Sequence, residues 1–191
     1  MNRNLGKILS LAGSALFCTI LSGGVVLATG ENAEAKQPGQ TQSARRANQP
    51  YNDEASIRTA AETSMTQVDL GKLAEQKAQN PEVKKFAQLM VEEHSKITER
   101  LKELGMSERI NLPTSISRRD ADTHRELERE PSGFDKGYTS QAASELAREI
   151  GEFERGASAT AKPAVKDFFE RTRPTLQSEL QEAKRLAAHV R

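Results

Sequence analysis

The chain has one cysteine, no tryptophan, and aromatic residues at only 4% of its 191 positions. A single cysteine excludes both a disulfide framework and a cysteine-cluster metal site. An excess of one charge sign is also missing, since 28 Lys and Arg face 27 Asp and Glu for a formal net charge of +1. That balance excludes the broad basic surface of a dedicated nucleic-acid binder. No stretch alternates β-branched and polar residues as a strand would, and there is no Gly-x-Ser-x-Gly elbow or phosphate-cradling glycine loop. What remains is a lean globular composition, 36% hydrophobic, arranged as an apolar leader and four helical patterns.

Arg3 and Lys7 precede an uncharged stretch from Ile8 to Gly30. A positive start, an apolar middle and small residues at the end make residues 1–28 a secretory signal peptide. Cleavage fits after Ala28 or after Ala35, where small residues stand at the required spacing. An uncleaved anchor is the alternative, because the stretch is long enough to span a bilayer. Ser22, Gly23 and Gly24 interrupt the apolar run and favour cleavage. Phe17 stands before Cys18 where a lipoprotein signal needs a small residue, so lipidation is rejected. Cleavage would remove Cys18 and leave a mature chain without thiol chemistry. Export to the periplasm or cell envelope is therefore expected.

Residues 29–52 contain no Ile, Leu, Val, Met or Phe. Such a stretch cannot bury enough surface to offset chain entropy and reads as a disordered linker. The domain then occupies residues 53–191. Its first helix should run from an Asp53 cap to about Gln79, with Ile57, Ala61, Met65 and Val68 as its stripe and Leu70, Leu73 and Ala74 carrying apolar surface round to another side. Asn80-Pro81 opens the second, on which Val83, Ala87, Met90, His94, Ile97, Leu101 and Leu104 alternate at spacings of four and three. That is the seam of a helix packed at shallow angle, with Gly105 as its expected stop. Arg118 to Glu130 is charged enough to be at most a short surface helix. Ser132 and Asp135 suggest a capping box for the third long helix, which carries Phe134, Tyr138, Thr139, Ala143, Leu146, Ile150, Phe153 and Ala157. Pro163 opens the fourth, with Val165, Phe169, Thr172, Leu176, Glu179, Ala183, Leu186 and Val190 on its seam. Pro174 lies within it and should kink it near Glu170. The stretches Pro81–Phe86 and Pro163–Phe168 echo one another, each opening the second helix of a hairpin. The expected class is all-α, a ferritin-like antiparallel four-helix bundle of long amphipathic helices.

Two polar residues fall on apolar seams, His94 and Glu179. Facing each other inside a bundle they would be two ligands of one metal ion or, more commonly, a structural ion pair. A di-metal bundle centre also requires Glu-x-x-His pairs. Val91 stands three before His94, and Leu176-Gln177-Ser178-Glu179 holds no histidine, so a ferroxidase centre is not expected. His124 and His189 read as solvated.

Several stretches together resemble one family. They are Met65–Ala74, Asn80–Lys84, Met90–Lys96, Phe134–Tyr138 and Pro174–Gln177, and the family is the bacterial domain of unknown function 4142. The likeness covers about residues 55–187. It implies an exported helical domain with a ferritin-like bundle, often labelled a putative outer-membrane protein, although nothing here resembles a barrel strand. By resemblance, Asp69 matches an acidic residue of the family's first helix and Glu93-His94 an acid–histidine pair of the second. Glu145-Leu146 stands for a similar pair in the third, and Glu179 for a histidine in the fourth.

These readings lead to an expected non-enzymatic, envelope-located structural or interaction module. No catalytic, cofactor-binding or metal-binding residue is assigned and no cofactor is expected. Its partner would be an unidentified envelope protein or a second copy, with no nucleic acid and no membrane span once the leader is cut. The alternative is a metal-binding bundle with a degraded, carboxylate-rich site of Asp69, His94, Glu145 and Glu179.

Overall fold

The structure, a computed structural model, describes residues 51–129 and 132–190. The leader and most of the linker lie outside them. The described residues form α1 (Asp53–Lys77), α2 (Pro81–Glu108), α3 (Arg118–Glu128), α4 (Phe134–Ala159) and α5 (Pro163–His189), with no strand among them. The all-α expectation holds.

Short connectors at 78–80 and 160–162 fold α1–α2 and α4–α5 into two hairpins. Contacts within each hairpin are the most extensive. Across the hairpins, α1 packs on α4 and α2 on α5, while α3 leans on α1 and α4. The echoing segments do the same job in both halves. Pro81 and Pro163 sit at the helix starts, where their missing N–H is harmless, and Val83, Phe86, Val165 and Phe168 are buried behind them.

The expected seams of α2 and α5 are buried throughout. Phe86, Phe134 and Tyr138 stack at one end of the core, with ring centroids 6.1–6.2 Å apart. Phe153, Phe168 and Phe169 cluster at the other end, with centroids 4.9–5.8 Å apart. Burying each such ring contributes about 1.5–3 kcal/mol. The middle of the core, between the aromatic ends, is where the polar residues lie.

Local departures from expectation have physical causes. Asn52, not Asp53, caps α1, because Asn52 has the extended backbone and its side chain accepts from the Ala55 N–H. α2 runs past Gly105 and stops at Arg109, whose φ of 57° is left-handed. Gly105 is helical and serves close packing instead, since a Cβ there would lie 3.0–3.2 Å from Leu112 and the Ile110 carbonyl. Gly133 rather than Ser132 precedes α4, with no side-chain cap. Asp135 instead accepts from the Gln79 and Asn80 N–H groups at 3.1 and 2.8 Å, tying the start of α4 to the α1–α2 turn. α5 continues through Pro174, which cannot donate to the Glu170 carbonyl. α3 buries no residue, as its composition requires.

On α1 the buried stripe is Ile57, Ala60, Ala61, Ser64, Gln67, Leu70, Gly71 and Ala74, while Met65 and Val68 are only half-buried. Ile57 and Ala61 of the expected stripe are in it, as are Leu70 and Ala74 of the expected second side. Small and polar residues face inward because α2 approaches closely here. A Cβ on Gly71 would lie 2.7 Å from Val91 Cγ2 and 3.1 Å from the Ala87 carbonyl.

Candidate functional site

Each long helix places at least one polar side chain in the core. Ser64 and Gln67 come from α1, His94 from α2, Glu149 from α4 and Glu179 from α5, all at most 2% exposed. Each sits on an apolar repeat. On α2 and α5 the repeats are the expected seams. On α4, Ala142, Leu146, Glu149, Phe153 and Gly156 form a second inward row at spacings of four and three.

His94 Nε2 and Glu179 Oε2 are 3.4 Å apart, an ion pair across the two hairpins. They are not aligned as a hydrogen bond. Both His94 nitrogens, all four carboxylate oxygens of Glu149 and Glu179, both amide atoms of Gln67 and the Ser64 hydroxyl have no hydrogen-bond partner within the protein. So many unpaired buried polar atoms are unusual in a native core, where each costs about 1–3 kcal/mol.

The charges in the cluster perturb one another. Burial drives the Glu149 carboxyl up to about 7, and Glu179 and Glu145 push the same way against the opposing pull of His94 and Arg148. Burial disfavours the charged form of His94. The adjoining Glu179 carboxylate and the charges of Glu149 and Glu93 more than offset this, and the imidazole is held above its usual range. Burial and the nearby Glu179 also push the Tyr138 phenol upward.

Of the four residues in the metal-binding alternative, the fold brings together only His94 and Glu179. Glu145 is half-buried and turned outward, where Arg148 and Gln141 donate to it. Asp69 is half-buried and lines an open surface groove between α1 and α2, with Lys72, Ser95 and Thr98. Glu149, one turn beyond Glu145, takes the interior place on α4. Gln67, two residues before Asp69, takes it on α1. The signal for Glu149 was present in the sequence: it stands three after Leu146 and four before Phe153.

Among the described residues no three His, Cys, Asp or Glu side chains stand together as a ready ligand set for a metal ion. His94 and Glu179 touch, and the charge of Glu149 reaches both. The donors are present, and their convergence on one ion requires side-chain movement.

Glu149, itself 2% exposed, also borders a gap between helices. It lines a narrow crevice of about 10 Å³ between α1 and α4, with Ser56, Thr59 and Thr63 on one wall and Arg148 and Glu152 on the other.

A family model described as "Domain of unknown function (DUF4142)" matches residues 35–186. No curated protein matches the chain. Among solved structures, CopM in the Cu(I)-bound form is similar with a TM-score of 0.60 at 18% identity, over 71% of this chain and 94% of that one. CopM in the Cu(II)-bound form is similar with a TM-score of 0.63 at 15% identity, over 73% of this chain and 98% of that one. At these identities the likeness is one of fold.

Proposed function

From the premise that the chain belongs to the DUF4142 family, we propose that it is an exported, non-enzymatic, ferritin-like four-helix bundle of the bacterial cell envelope. Its interior binds one divalent transition-metal ion on His94, Glu149 and Glu179.

The observation that carries this reading is the set of buried donors with unused bonding capacity, drawn from three helices. Two carboxylates and one imidazole in a dry core are costly without a compensating cation or proton. One divalent ion would satisfy the charge and the empty lone pairs together. Imidazole nitrogen with carboxylate oxygen suits borderline ions such as Cu²⁺ and Zn²⁺. His94 would supply the nitrogen, and Glu179 and Glu149 the oxygens and negative charge. The likeness in fold to copper-bound CopM adds support.

The non-enzymatic part rests on enclosure. His94 and Glu179 are sealed from solvent, and the larger pockets, beside Asp69 and beside Met106, lie on the surface. Export rests on the leader; no helix among the described residues is long and apolar enough to cross a membrane. Contacts with a second copy or an envelope protein would fall on a bundle face or on the charged α3.

Equilibrium dialysis of the full chain against Cu²⁺ tests the site, because Cu²⁺ binds most tightly of the divalent first-row ions. One ion per chain, lost in His94→Ala and weakened in Glu149→Gln and Glu179→Gln, is the expected result. Retention unchanged in all three variants, or no retention by the natural chain, would overturn the reading and leave a bundle held by a structural ion pair.

A further inference from the structure

Resting on that interior site, we propose that its cation enters and leaves through the seam between α1 and α4, with Glu149 as the inner hand-off and Arg148 as the gate.

The two facing walls of this seam differ from the rest of the core. Along α1, Ser56, Thr59 and Thr63 present hydroxyl groups at spacings of three and four, so they lie on one helix face. Along α4, Glu149 and Glu152 stand three apart on the adjoining wall. The pair grades inward: Glu152 is half-buried and Glu149 is buried. Hydroxyl oxygens opposite carboxylates can replace part of a cation's water shell in stages. The crevice between them holds about one water-sized sphere, so a passing ion must shed most of its hydration.

Glu149 belongs both to this crevice and to the buried cluster. His94 does not line it and is sealed at 0% exposure. A cation reaching the cluster by this route therefore meets Glu149 first. Arg148 stands on the same wall, and its guanidinium pairs with Glu145, while Arg155 pairs with Glu152. Arg155 must release Glu152 before that outer acid can take a cation. Arg148 alone of the two lines the crevice, which makes it the charge that opposes passage.

The test measures rates and affinity separately, on the full chain with Cu²⁺ as the probe. Uptake is followed by stopped-flow absorbance and release by transfer to a chromophoric chelator. Thr63→Leu fills the crevice beside Glu149, and Thr59→Leu narrows it nearer the surface, where folding is less at risk. Both variants should slow uptake and release by about tenfold, and Thr59→Leu should do so while leaving Kd unchanged. Arg148→Gln should speed both. If the interior ion is bound with natural rates in all three variants, the route is wrong and the site stands. If Thr63→Leu and Thr59→Leu change Kd with no matching change in uptake, these residues belong to the site and the route is likewise wrong. If the natural chain binds no interior Cu²⁺, the site reading falls and the route falls with it.

Discussion

Replacing Glu149 by Gln removes one ionisable group from the core while keeping its shape, and the metal-free protein should respond in a pH-dependent way. In the folded chain the Glu149 carboxyl is raised from the ordinary 4.5 to about 7, first by burial and then by Glu179 and Glu145. Below about pH 4.5 both folded and unfolded chains hold the proton, and the group has no net effect. Between 4.5 and 7 the unfolded chain releases it while the folded chain keeps it, so the folded state binds more protons and stability falls as pH rises. Above 7 both are ionised and the penalty is constant. At about 1.4 kcal/mol per tenfold change in proton affinity, the full loss is about 3 kcal/mol. His94 acts in the same direction at higher pH, because its raised affinity stabilises the fold only while the ring is charged. Urea unfolding followed by circular dichroism, with chelator present, measures both chains between pH 5 and 8. The natural protein should lose stability over that range, and Glu149→Gln should flatten most of the loss and be the more stable chain at pH 8. Parallel pH profiles for the two chains would refute the argument, since Glu149 would then be solvated or already paired.

Three further outcomes follow from the geometry. Asp135→Ala removes the acceptor of two backbone N–H groups at the α1–α2 turn and should cost about 1–2 kcal/mol in urea unfolding. Gly156→Ala places a Cβ 2.5 Å from the Phe169 ring, which Phe153 and Phe168 hold in place. It should cost about 1–3 kcal/mol and lower Tm, although alanine is the better helix former. Arg109→Gly relieves a left-handed backbone at the end of α2 and should raise stability by about 1 kcal/mol.

The sequence was most informative where one side chain type dominated a helix face. The seams of α2 and α5, with His94 and Glu179 on them, could be read from periodicity because their inward residues are large and apolar. α1 followed the same reading only in part. Its inward face mixes Ile57 and Leu70 with Ala, Ser, Gly and Gln, small enough at Gly71 for α2 to approach closely, and Met65 and Val68 drew the stripe aside. α4 buries two adjoining rows, and the row with fewer large residues contains Glu149. Helix ends depended on backbone geometry that residue identity does not fix. Asp135 has the spacing of a local cap but serves the turn of the other hairpin, a contact made only in the folded chain.

The interior charges have a kinetic consequence because of how they are divided between the two halves. His94 belongs to the α1–α2 hairpin, and Glu149 and Glu179 to the α4–α5 hairpin. Each hairpin has mostly local contacts and short turns, so each can form early and quickly. The His94–Glu179 contact forms only when the hairpins meet. The final dehydration and proton uptake of this pair therefore accompany the docking of the two halves. Alkaline conditions should slow that event while leaving helix formation largely untouched, so that a chain caught before docking would have its helices and an open, wet seam.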